Sequence, residues 1–143
     1  MSAAKVAIVG AAETTALGRI PQMSQIQLHA DAALNALADA GLTLKDIDGV
    51  ATAGESPTAV AHYLGIAPNW VDGTAVGGCS FMLHVRHAVA AIESGLCQCV
   101  LITHGESGRS NVGRAGWASS PGSLSGQFES PFGGMGPTTL FTL

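Results

Sequence analysis

The chain has 143 residues and a mass of 14.4 kDa, one domain's worth of polypeptide, with 47% hydrophobic and only 11% charged residues against a usual ~25%. That balance excludes intrinsic disorder, and a net charge of −4 with six Lys and Arg over the whole length excludes a phosphate-backbone binder. No apolar run approaches the ~18 residues of a membrane span, and Met1–Lys5 is too short for a signal peptide, so a cytoplasmic location is expected.

In chain order, Lys5–Val9 is a short β-branched run that predicts a buried strand ending at Gly10. Ser24-Gln25-Ile26-Gln27 has the pattern of a capping box. Ile26, Ala30, Ala33, Leu34 and Leu37 then recur at three- and four-residue steps, which predicts a helix closed by Gly41. Asp48–Ala53 reads as the second strand, and Ser56-Pro57 opens a short helix that Gly65 closes. Trp70–Val76 reads as the third strand. After the turn at Gly77-Gly78 a helix from about Cys79 to Ser94 carries Phe81, Met82, Val85, Ala88, Val89 and Ile92, an apolar arc wide enough to predict burial on most sides. Cys97–Thr103 is a continuous apolar run, the fourth strand. Strands separated by helices imply an α/β fold with a mostly parallel sheet.

Composition divides the chain into residues 1–109, an α/β unit, and residues 110–143, where Gly, Ser and Pro fill 16 of 34 positions and only Arg114 and Glu129 are charged. The second stretch predicts irregular loop with at most a short helix. Gly136–Leu143 reads as the opening of a helix with Pro137 in its first turn, so the chain is expected to be the front part of a longer protein. Three cysteines without scaffold spacing fit a reducing compartment.

Sites in open α/β sheets gather beyond the carboxyl ends of the strands. There the turn Gly77-Gly78-Cys79-Ser80 enters the long helix, where unpaired N–H groups and the helix dipole favour thiolate. Cys79 is thus a candidate nucleophile, with a small buried hydrophobe as the alternative. Gly77, Gly78 and Ser80 are the backbone and hydroxyl groups beside it. His104 and Glu106 end the fourth strand at the same edge; His104 is a candidate for substrate contact, and Glu106 is expected to bond loop backbone. Cys97 and Cys99 read as core, His84 and His87 as core or surface histidines, and no residue set suggests a metal or a dinucleotide.

The order Val6-Ala7-Ile8-Val9-Gly10, Glu13-Thr14, Gly18-Arg19, Ala40-Gly41-Leu42, Asp46-Ile47-Asp48-Gly49-Val50, the Gly-rich turn, Glu93-Ser94-Gly95, Val100-Leu101-Ile102 and Gly105-Glu106-Ser107 resembles the start of a thiolase-superfamily protein of the sterol carrier protein X type. The resemblance implies a thiolase-like βαβαβ layer with a central buried helix, the first half of a duplicated fold. Residues after Ser110 would begin the loop domain over an acyl-CoA. It implies acyl transfer through a cysteine in thioester condensation or thiolysis, with the coenzyme A thioester as substrate and no other cofactor. A homodimer with the third strand near the two-fold axis is implied too, as is a C-terminal half that holds the remaining catalytic residues. The family's Asn-x-x-Cys-Ala/Gly-Ser/Thr-Gly motif is not matched: the chain reads Ala75-Val76-Gly77-Gly78-Cys79-Ser80-Phe81, with no Asn and with Phe81 where a small residue belongs, and counting back from the helix end at Gly95 puts Gly78, not Cys79, at the nucleophile's place. The resemblance therefore also admits a thiolase-fold acyl-CoA carbon–carbon lyase, often beside a small OB-fold partner protein, or a non-catalytic subunit.

Overall fold

The computed structural model describes residues 6–106, 110, 112, 120 and 122–133. The chain divides into two compact units, Met1–Gly113 and Arg114–Leu143.

The first helix, α1 (Gln25–Ala40), begins where the capping pattern placed it: the Gln27 side-chain oxygen accepts the Ser24 N–H at 2.7 Å and its hydroxyl at 3.0 Å. It ends at Gly41 in the left-handed region, φ 68°, and the Leu42 N–H closes the last turn on Leu37. Strand β1 (Gly49–Ala53) follows, then α2 (Pro57–Leu64), β2 (Trp70–Asp72), α3 (Ser80–Glu93) and β3 (Val100–His104). The three strands form a parallel sheet in the order β2-β1-β3, with Gly49 opposite both Trp70 and Val100.

Ala33 and Leu37 of α1 and Val60 and Ala61 of α2 close over Val50 of β1 and Leu101 of β3, the centre of the core. A fully buried side chain of this size contributes about 1.5–3 kcal/mol. All five residues of β1 are buried, so its opposite face is covered as well; α3 packs there, against all three strands. The fold is thus the α/β layer with a parallel sheet that the sequence implies.

Five local expectations are corrected. Val6–Val9 pairs with no strand among the described residues, and Ile8 and Val9 are 77% and 62% exposed. The segment lies along α1 instead: a side chain at Gly10 would sit 2.6 Å from the Ala36 carbonyl, and the Ala11 N–H bonds to Asp39. Thr15 bonds to Asp31 and the Glu13 carbonyl to Asn35, so three α1 side chains four residues apart hold residues 11–15. Leu34 of α1 is exposed; Gln25 and His29 take their place with Ala33 and Leu37 on the buried stripe.

The third strand stops at Asp72 rather than Val76, because the Asp72 carboxylate turns back to accept the Thr74 N–H at 2.9 Å and hydroxyl at 2.7 Å. The fourth begins at Val100: the Asp48 carboxylate accepts the Gln98 and Cys99 N–H groups and bends the chain there. On α3 the buried stripe is Ser80, His84, Ala88 and Ala91, while Phe81 and Met82 are 42% and 63% exposed. The helix turns small and polar residues to the closely packed sheet, keeps Val85, Val89 and Ile92 half-buried at its flanks and leaves Phe81 and Met82 outside.

In the second unit, the described residues form a short helix α4 (Leu124–Phe128) and a 3-10 turn (Ser130–Phe132) closed by Gly133 at φ 88°. The helix expected from Gly136 lies outside the described residues.

Candidate active site

Alternation along β3 sorts the residues at its exit. Thr103 is buried and points at α1; His104 turns the other way, toward solvent. Gly105 and Glu106 follow. His104 Nε2 and Glu106 Oε1 are 3.6 Å apart, and both residues line a cavity of about 640 Å³ whose other walls include Glu13, Leu17, Ile20, Leu28 and Ala32. The Glu106 carboxylate is mostly exposed and lies beside the imidazole. The lining combines apolar side chains with two carboxylates and an imidazole. Among the residues lining it, none is Lys or Arg.

The α3 entrance stands at the same end of the sheet. The Ser80 hydroxyl donates to the Gly77 carbonyl at 2.6 Å and accepts the Val76 N–H at 3.0 Å, so this buried serine ties the turn. Gly77 adopts φ 87°, which only glycine accepts easily, and the space around Gly78 is open. Cys79 is the N-cap of α3, exposed, with its thiol 3.9 Å from the Val76 carbonyl. Gly77, Gly78, Cys79 and Ser80 do not line the cavity. The two groups approach through Phe81, whose ring lies 6.2 Å from that of His104 at an interplanar angle of 31°.

Sequence reasoning missed the support beneath His104. His29 is fully buried on α1, its Nδ1 2.8 Å from the Thr103 hydroxyl and its Nε2 buried with no hydrogen-bond partner. Burial lowers its pKa from 6.5; the Gly105 carbonyl nearby opposes this and His104 adds to it. The signal was present as a polar residue within the stripe Gln25, His29, Ala33, Leu37.

A second depression, of about 470 Å³, lies between β2 and α3. There His87 Nδ1 donates to Asp72 at 2.6 Å. Behind it, the fully buried His84 donates from Nε2 to the Thr74 carbonyl at 2.9 Å, and its Nδ1 has no partner. Burial pushes the Asp72 carboxyl up, but the Thr74 hydroxyl, His87 and the Thr74 N–H outweigh it and hold it below its usual range. Burial and Asp48 push the thiols of Cys97 and Cys99 up, as befits packing residues. Among the described residues, no three His, Cys, Asp or Glu side chains are grouped to hold a metal ion, and no helix is long and apolar enough to cross a membrane.

No family model matches the chain. It is 33% identical over 105 residues to 17-hydroxy-3-oxo-4-pregnene-20-carboxyl-CoA lyase of Mycobacterium tuberculosis, a match covering 71% of this chain and 27% of that protein. Among solved structures it is similar to the Ltp2-ChsH2(DUF35) aldolase, with a TM-score of 0.69 and 27% identity over 94% of this chain and 37% of the other. A monomeric SCP2-thiolase-like protein type 1 from Mycobacterium smegmatis gives a TM-score of 0.58 and 31% identity, over 69% of this chain and 23% of the other. The chain thus spans about a quarter to a third of the length of the relatives it matches.

Proposed function

Since the chain belongs to the thiolase-like superfamily, we propose that it serves an acyl-CoA carbon–carbon lyase of the retro-aldol type. One observation carries this reading: the cavity wall at the β3 exit presents His104 and Glu106 and no cysteine. The lyase and the aldolase among its relatives support it.

Retro-aldol cleavage beside a thioester needs a hydroxyl on the β carbon. In the proposed reaction the His104–Glu106 pair takes the hydroxyl proton, and the oxygen's electron pair becomes a carbonyl. The electrons of the Cα–Cβ bond pass to Cα, where the thioester carbonyl holds them as an enolate. Return of a proton to Cα releases a shorter acyl-CoA and a ketone or aldehyde. Acidic side chains near the cavity suit the neutral acyl portion; the coenzyme A phosphates belong elsewhere, in keeping with a site completed by more protein. The partner subunit in this proposal is a small OB-fold protein, in line with the two-component name of the aldolase. The outer edge of β2, which pairs with no other strand among the described residues, is where a second copy would join in a homodimer.

The test is to incubate the intact protein, together with its partner subunit, with a panel of β-hydroxyacyl-CoA thioesters and detect the shorter thioester and the carbonyl product by mass spectrometry. Glu106→Gln is expected to slow cleavage by about 10²–10⁴-fold, and Cys79→Ser to leave it within about twofold, as for other surface substitutions. The second reading, acyl transfer through Cys79, is favoured by the exposed thiol at the α3 N-cap, with Gly77, Gly78 and Ser80 shaping its turn. It predicts the reverse: an acylated peptide containing Cys79 after incubation with acetyl-CoA, lost in Cys79→Ser. That outcome would replace the lyase.

A further inference from the structure

Gly105 is a glycine for an unusual reason. Its φ lies outside the left-handed region, so its backbone suits any residue. A side chain is excluded by His29: a Cβ there would stand 2.8 Å from the imidazole Cδ2 and 3.1 Å from Nε2, and the three nearest atoms all belong to that ring. The ring cannot easily yield, since it is fully buried and its Nδ1 is pinned to the Thr103 hydroxyl at 2.8 Å. One turn earlier on α1, the Gln25 amide donates to the Gly54 carbonyl at 2.7 Å. The β1 and β3 exits also abut, for a Cβ at Gly54 would lie 2.6 Å from the Gly105 carbonyl. Two side chains four residues apart on one helix face therefore support two adjacent strand exits.

We infer that His29 is the positioning residue of the candidate site: its pinned imidazole is the stop on which the Gly105 backbone rests, and so sets how His104 and Glu106 face the cavity. A hydrophobic side chain in this place would fill the volume but leave the Thr103 hydroxyl without its partner and the ring edge without a fixed height. The consequence for catalysis rests on the lyase reading above; the positioning itself does not.

The test is a mutant cycle on the full chain of Gly105→Ala, His29→Ala and the double variant, read by two measurements. The first is amide chemical shifts across residues 54–55 and 104–106, with α2 as internal reference. The second is the cleavage rate on β-hydroxyacyl-CoA thioesters. Gly105→Ala is expected to displace the shifts at the two exits and to slow cleavage at least tenfold. Adding His29→Ala, which clears the space for the new methyl, should return the shifts at least halfway toward their original values, a non-additivity that direct contact demands. His29→Gln, which retains a polar group beside Thr103, should disturb the exits less than His29→Ala. If Gly105→Ala fails to accumulate as folded chain, recovery of folded chain in the double variant supports the inference and its failure overturns it. Additive shifts, or shifts spread equally into α2, overturn it too. A chain that cleaves none of the thioesters yet shows the non-additive shifts would remove the lyase reading and keep the positioning.

Discussion

At the exit of β2 the chain ties itself down: Asp72 holds Thr74 two residues on, and Ser80 holds Gly77 three residues back. At the exit of β3, support comes from His29, 74 residues away from Thr103 in sequence. The first turn keeps its shape by bonds to neighbours and to His84 and His87 of the helix that follows, and carries an exposed cysteine. The second depends on a helix from the start of the fold and borders the cavity. Local ties make a turn robust to changes elsewhere, whereas remote support makes the β3 exit answer to the seating of α1.

Substitutions at the two exits sharpen that contrast. The largest effect is expected at Gly54, where φ is 96° and the space is closed by Gly105. Gly54→Val combines backbone strain with overpacking and should cost about 4 kcal/mol, read as a lower urea midpoint with protection lost at both the β1 and β3 exits. Ser80→Ala strips the Val76 N–H and Gly77 carbonyl of their hydroxyl partner and should cost about 2 kcal/mol, with disturbance confined to the α3 entrance. Disturbance reaching the β3 exit would erase the distinction between the turns.

Asp72→Asn should cost about 1–2 kcal/mol at neutral pH. The Asp72 pKa is held down in the fold, so its stabilisation is present above the ordinary value of 3.8 and is lost as pH falls through the folded value. The parent and the variant should therefore converge in urea melts at strongly acid pH. The smallest effect is that of His29. With its pKa lowered from 6.5, the unfolded chain binds this proton first, so stability is full above that value and declines as pH falls below it. The decline cannot exceed about 1.4 kcal/mol per pH unit for one proton. Melts at stepped pH should show it in the parent chain and not in His29→Gln.

These differences also explain what the sequence could reveal. Helix ends depend on neighbours, so Ser24, Gly41, Pro57 and Gly65 marked α1 and α2 correctly. Strand ends decided by one carboxylate were overrun: Asp72 and Asp48 each shorten a run whose hydrophobicity continues past it. His104 and Glu106 were legible because a strand's carboxyl end is a privileged place. The stop formed by His29 was not, since nothing near residue 29 indicates that residue 105 lies against it. The unpaired state of Val6–Val9 was equally hidden, because a β-branched run carries no sign of its neighbour.

The segment along α1 has a consequence for the cavity. Asp31, Asn35 and Asp39 fasten residues 11–15 at solvent-exposed points, and the residues just around them form the outer wall of that space. The inner wall is welded by burial; the outer is buttoned. Such a wall comes undone in a small local opening while the sheet stays intact, so the cavity can widen from one side without the fold giving way.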